Sequence, residues 1–117
     1  MVLAGYDATA ASVDAVAEQT IACFREHVPA AVPGIVFLSG GQSDEDATAH
    51  LNAMNQRGPL PWQLSFSYGR ALQAAAQQAW KGDPANRAAA QQAFLQRARL
   101  NGLARSGEYS SDMERAA

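Results

Sequence analysis

Gly34-Ile35-Val36-Phe37-Leu38-Ser39-Gly40-Gly41-Gln42-Ser43 is the stretch on which the fold turns. Four consecutive apolar residues, Ile35 to Leu38, bounded by glycine read as a short strand buried on both faces, the pattern of a parallel sheet. Ser43 can cap free amides, and Asp44, Glu45 and Asp46 suit the first turn of a helix, so a helix is expected from there to about Asn55. Upstream, Ser12 precedes Val13, Val16, Ala17, Thr20, Ile21 and Phe24, whose three- and four-residue spacing predicts a helix over 13–27, stopped by Pro29 and Pro33. Downstream, Gln56-Arg57-Gly58-Pro59-Leu60-Pro61 is a turn, and Trp62 to Ser67 alternates apolar with polar as a second strand does. Tyr68-Gly69-Arg70 breaks into a third helix, Ala71 to about Trp80, ended by Lys81-Gly82. Asp83-Pro84 opens a fourth that runs to about Ala104 before Gly107, and Glu108 to Ala117 is expected to be a loose polar tail.

The order helix, strand, helix, strand, helix, helix implies a parallel sheet with helices packed outside it. Two strands leave both sheet edges open, so the chain reads as part of a larger α/β domain. Composition agrees: alanine supplies about a fifth of the 117 residues, while valine and isoleucine are scarce and clustered. An all-β fold is excluded on that ground. No apolar run approaches the roughly 20 residues of a membrane span, and the first residues lack the features of a leader, which predicts a cytoplasmic chain with no membrane partner. A net charge of −2 and scattered arginines argue against nucleic acid. Cys23, His27 and His50 show no metal-ligand spacing, so no metal is expected.

Chemistry is expected where the two strands hand over to helices. Ser39, Gly40 and Gly41 follow the first strand; Ser67, Gly69 and Arg70 follow the second. Glycine lets a phosphate oxygen approach the backbone, hydroxyls donate, a helix start offers unpaired amides, and an arginine grips phosphate bidentately. The six residues together describe an anion cradle made by two neighbouring loops. The alternative is that the glycines serve only tight turns and that Arg70 is a surface cation; neither loop carries the GxxxxGK[ST] pattern, and spacing leaves both readings open. Elsewhere Cys23 is expected in the core, His27 at a helix end, and His50 partly exposed. Asp44, Glu45 and Asp46 are expected in a solvated first turn, and Trp62 and Trp80 in packing.

Val32 to Ser43, then Leu51-Asn52-Ala53-Met54-Asn55, Pro61 to Gln73, Ala79-Trp80-Lys81-Gly82 and Gly107-Glu108-Tyr109 closely resemble the C-terminal third of class I fructose-1,6-bisphosphate aldolases, covering nearly the whole chain. The resemblance implies an eight-fold (β/α) barrel of which residues 1–117 form a part, with the two short parallel strands as the seventh and eighth and about four helices around them. It implies a glycolytic lyase that cleaves fructose 1,6-bisphosphate reversibly to dihydroxyacetone phosphate and glyceraldehyde 3-phosphate through a lysine imine (Schiff base), with no cofactor or metal. It also implies that Ser39, Gly40, Gly69 and Arg70 hold a substrate phosphate and that Ser67 lines the same pocket.

The departures matter as much. The family's imine lysine belongs to a Lys-Pro-Asn-Met-Val-like stretch whose end Met1-Val2 resembles, which places that lysine before Met1 and leaves no catalytic residue in this chain. Lys81, the only lysine, at the end of a helix, is no substitute for a buried amine, and Tyr109 is unlike the family's terminal tyrosine in position. The expectation is a chain inactive alone, partnered by the missing N-terminal barrel half or by itself. The rival is a noncatalytic phosphometabolite-binding or assembly module using the same loops.

Overall fold

The apolar spacing and the caps read from the sequence produce their helices at nearly the expected bounds in the computed structural model, which describes residues 1–115. Helix α1 spans Val13–His27; Ser12 stands extended before it and its Oγ accepts the Ala15 amide at 3.2 Å. Strand β1 is Gly34–Phe37, helix α2 is Asp44–Asn55, and strand β2 is Gln63–Phe66. Ser43 caps α2 by accepting the Asp46 amide at 3.0 Å. Helix α3 covers Arg70–Trp80 and closes on Lys81 in the left-handed region, φ 54°. Asp83 caps a 3-10 turn, Pro84–Asn86, that leads into α4, Arg87–Ser106; the proline therefore opens a tighter turn before the α-helix itself. Gly107, at φ 74°, ends α4 in a conformation that costs glycine little.

β1 and β2 pair in parallel, with Ile35 opposite Leu64 and Phe37 opposite Phe66. The ladder is prolonged where the Ser67 amide donates to the Phe37 carbonyl at 2.8 Å. One face of this sheet meets the helices: Phe37 and Leu64 are buried there with Ala17, Ile21, Leu51, Met54, Ala71, Leu100 and Ala104. Phe24 of α1 stacks on Phe37, centroids 5.7 Å apart, and meets Trp62 edge-on at 6.1 Å. The Trp62 indole donates to the Pro29 carbonyl at 2.9 Å, so its polar edge is satisfied in the core.

Four expectations need correction. The first strand is not buried on both faces: Val36 is 63% exposed and Leu38, beyond the strand end, 72% exposed, because every helix lies on the Ile35 and Phe37 side. Cys23 is exposed, since the packed face of α1 centres on Ala17, Ile21 and Phe24 and Cys23 lies outside it. Trp80 is half-exposed rather than packed. His50 is buried, with its Nδ1 2.7 Å from Gln42 Oε1, because α2 is covered on more than one side.

The segment expected to be a loose tail is docked as far as it is described; residues 116–117 lie outside the described residues. A 3-10 turn, Ser111–Glu114, folds back on α4. Tyr109 is buried, its amide donating to Asn52 Oδ1 at 2.9 Å and its hydroxyl to Glu114 Oε1 at 3.0 Å. Arg97 Nη1 lies 2.5 Å from Glu114 Oε2, with the two side chains only 6% and 11% exposed. Arg97 Nη2 donates to Thr48 Oγ1 and to the Asp44 carbonyl, the latter at 3.2 Å, so one guanidinium joins tail, α4 and α2.

A buried pair is costly to break from one side, because the remaining charge stays desolvated. Glu114→Ala is expected to lower unfolding free energy by about 3–5 kcal/mol, read from urea denaturation. His50 gives a second expected outcome. Burial, countered by Asp46 and reinforced by the chain's amino terminus, holds its imidazole below the ordinary 6.5. The unfolded chain therefore binds the proton first, and stability present above pH 6.5 is lost as pH falls below it, at most about 1.4 kcal/mol per pH unit. Melting midpoints between pH 7 and 5 are expected to fall less steeply in His50→Asn.

Candidate functional site

Parallel pairing with Phe37 opposite Phe66 forces the two loops that follow to leave the sheet side by side, at the carboxyl ends of the strands. Ser39, Gly40 and Gly41 lie in the first loop, with Gln42 and Ser43 leading into α2; Ser67 and Gly69 lie in the second, and Arg70 is the first residue of α3. The first loop is a tight turn, closed by the Gln42 amide donating to the Ser39 carbonyl at 3.2 Å. Gly41 adopts φ 74°, so the turn there requires glycine. Gly69, by contrast, has an ordinary φ, and a Cβ placed on it would meet nothing within 4 Å; the space above it is open.

Arg70 draws the two loops together. Its Nη2 donates to the Ser39 carbonyl at 2.7 Å and to the Gln42 carbonyl, with Ser39 Oγ at 3.4 Å. Its Nη1 donates to Asp44 Oδ1 at 2.8 Å. Ser39 is buried beneath this clasp, while Arg70 keeps about half its side chain, 49%, in solvent. Tyr68 anchors the second loop from below: its hydroxyl donates to the Ala47 carbonyl at 2.7 Å, and burial pushes its phenol well above the ordinary range. Of the six residues singled out from the sequence, Ser39 and Arg70 are in direct contact; Gly40, Gly41, Ser67 and Gly69 occupy the two adjoining loops.

The helix starts differ electrostatically. α2 has its cap hydroxyl and three acids in its first turn, whereas α3 begins on Gly69 with no side-chain cap and no acid in its first turn. The start of α3 thus has no acid of its own, and the charge that Arg70 carries there is met by Asp44 from the start of α2. Two residues escaped the sequence reading. Asp44, expected to be solvated, is the counter-ion of Arg70, and Gln42 gives the clasp a carbonyl while its side chain meets His50. Nothing in local spacing signals either contact, since Asp44 and Gln42 are brought to Arg70 only by the β1–β2 pairing.

Beside the first loop, Leu3, Ala4, Tyr6, Ala8 and Gly40 with Gly41 border an open groove of about 500 Å³. A separate apolar pocket of about 280 Å³ between α4 and the tail, lined by Leu95, Leu100, Leu103 and Met113, has no residue of either loop. Among the described residues no group of three His, Cys, Asp or Glu is placed to hold a metal ion, and no helix is long and apolar enough to cross a membrane.

Comparison with known proteins gives the family. The family model described as "Fructose-bisphosphate aldolase class-I" matches residues 1–117. A protein of Xylella fastidiosa named "Probable fructose-bisphosphate aldolase class 1" is 58% identical over 111 residues, covering 93% of this chain and 33% of that protein. Fructose-bisphosphate aldolase B of Sparus aurata is 62% identical over 96 residues, covering 80% of this chain and 26% of the relative. Among solved structures, the fructose-bisphosphate aldolase of Plasmodium falciparum, in complex with TRAP and a small-molecule inhibitor, superposes with a TM-score of 0.88 at 50% identity over 92% of this chain and 31% of that one. The chain thus spans about a third of the length of the relatives it matches. Its four helices and two parallel strands match the C-terminal part of an aldolase (β/α)8 barrel, and with a family model matched from end to end, the chain belongs to the class I fructose-bisphosphate aldolases.

Proposed function

We propose that these 117 residues supply the phosphate-binding side of a class I aldolase site and do not cleave substrate alone. The observation that carries this reading is the Arg70 clasp: a half-exposed guanidinium fixed over Ser39 and Gln42, beside open space at Gly69 and at a helix start with no side-chain cap. Such a group binds a phosphate ester without having to be ordered first, which lowers the entropic cost of binding. Ser39, Gly40, Gly41, Ser67, Gly69 and Arg70 are the residues assigned to the phosphate of fructose 1,6-bisphosphate or dihydroxyacetone phosphate.

Carbon–carbon cleavage in the family's manner needs a lysine whose imine, once protonated, accepts the electron pair of the breaking bond. Lys81 is the sole lysine in the sequence; it is exposed and closes α3, outside the two loops. The amine and its acid–base partners must then come from outside these residues, from an N-terminal barrel half or a second chain. Val36 and Leu38, on the uncovered face of the sheet, offer that contact its apolar surface, and self-association is the outcome when no other strand is supplied. A noncatalytic phosphometabolite-binding role is the second reading, favoured by the absence of any buried lysine among the described residues.

Two measurements bear on this. Incubation with dihydroxyacetone phosphate and borohydride is expected to leave the mass of the chain unchanged; a stable adduct on Lys81 overturns the assignment. Arg70→Ala is expected to weaken inorganic phosphate binding by about 2–5 kcal/mol, against a stability loss of about 1 kcal/mol from the loop bonds it gives up. Retained phosphate affinity with a melting point many degrees lower makes Arg70 a structural clasp only.

A further inference from the structure

We propose that Asp44 sets the anion specificity of the two-loop site, by acting as an internal counter-ion that an incoming phosphate must overcome at Arg70. The inference rests on the reading of these loops as a phosphate site and adds a residue that the reading does not include. Its starting point is the ion pair: Arg70 Nη1 to Asp44 Oδ1 at 2.8 Å, with the carboxylate side chain 22% exposed and the guanidinium side chain 49%.

Asp44 is held where it stands. Its backbone carbonyl accepts from Thr48 Oγ1 at 2.9 Å and from Arg97 Nη2 at 3.2 Å, and the preceding residue, Ser43, is locked as the cap of α2. The backbone of Asp44 is therefore fixed, and the carboxylate can leave Arg70 only by rotation of its own short side chain, which keeps its charge nearby when another anion arrives. The Nη1 and Nη2 edge of the guanidinium is taken by Asp44 and by the Ser39 and Gln42 carbonyls, whereas no described residue accepts from Nε. An external anion then meets Arg70 at its Nε side or displaces Asp44 from Nη1. In both cases a fixed negative charge stands within a few ångströms, in a partly desolvated setting where such repulsion is weakly screened.

That arrangement discriminates. A monoanion such as chloride gains one charge interaction with Arg70 and meets one repulsion from Asp44, so little remains. A phosphate dianion meets both a larger attraction from Arg70 and a larger repulsion from Asp44, and retains net attraction through the loop amides and hydroxyls that it also engages. Asp44 thus lowers affinity for every anion and lowers it most, relative to what is available, for anions that cannot use the loops. Arg70 is kept oriented and neutralised while the site is empty, and simple salts do not fill it.

Asp44→Asn isolates the effect, because the amide oxygen can still accept from Arg70 Nη1 while the charge is gone. The full chain is titrated with inorganic phosphate, following the backbone amides of Ser39, Gly40 and Gly69 by NMR, with and without 0.2 M chloride as a stated addition. Asp44→Asn is expected to bind phosphate about tenfold more tightly than the wild type and to lose that gain in chloride, while the wild type is nearly indifferent to chloride. Equal or weaker phosphate affinity in the variant, with binding retained in the wild type, overturns the role of Asp44 and leaves the phosphate site standing. No phosphate binding by either chain overturns the site and this inference together. Should the variant fail to fold, the side-chain carboxyl carbon of Asp44 in the wild type decides: it is expected to shift in step with phosphate saturation, and a resonance that stays fixed as the Ser39 and Gly40 amides move overturns the proposal.

Discussion

A parallel strand pair cannot be closed by a tight turn; the chain must travel back along the length of the first strand before it can begin the second. In this molecule that return is α2, and its path constrains nearly everything else. It has the sheet beneath it, α1 on one side and α4 on the other, so seven of its residues are buried. The space is tight enough that Ala47 is fully enclosed, and polar residues on the helix are admitted only with partners: Thr48 with Asn101 and Arg97, Asn52 with the Tyr109 amide, Asn55 with the Leu64 and Ala104 carbonyls. The same helix begins on the first loop and takes the Tyr68 hydroxyl of the second on the Ala47 carbonyl. Loop geometry is thus inherited from the crossover.

This explains which parts of the molecule the sequence disclosed. Caps and breakers act through neighbours in the chain, so Ser12, Ser43, Asp83 and Gly107 mark their helix ends directly, and the run Ile35 to Leu38 marks a parallel strand. Burial depends on what covers a face, which periodicity does not say. Cys23 lies seven residues past Val16, at the margin of a packed face that centres on Ala17, Ile21 and Phe24, and is left outside it. His50 looks like an outer residue of an amphipathic helix and is buried because α2 has neighbours on several sides. The described residues after Gly107 include few apolar ones and read as tail, but they are held by the buried Tyr109 together with hydrogen bonds and one ion pair, to which hydrophobic patterning is blind.

The site shows the same division. Glycines, serines and an arginine stand out at the strand ends of the sequence, and the phosphate roles proposed for them rest on the resemblance to aldolases. The contacts that fix Arg70 were not legible, because its partners Ser39, Gln42 and Asp44 precede it by a whole helix and strand. The guanidinium is consequently oriented by backbone carbonyls, whose positions no side-chain substitution removes, and by one carboxylate, which a single substitution can change.

The register Ile35 to Leu64 has a consequence for the order in which the molecule assembles. As the chain is synthesised, β1 and α2 are made before any residue of β2, so every ladder bond between β1 and β2 waits for a partner that emerges later. The contact between α1 and α2 has no such delay. The joining of β2 to β1 is the non-local step, and it completes both the sheet and the pair of loops at its end.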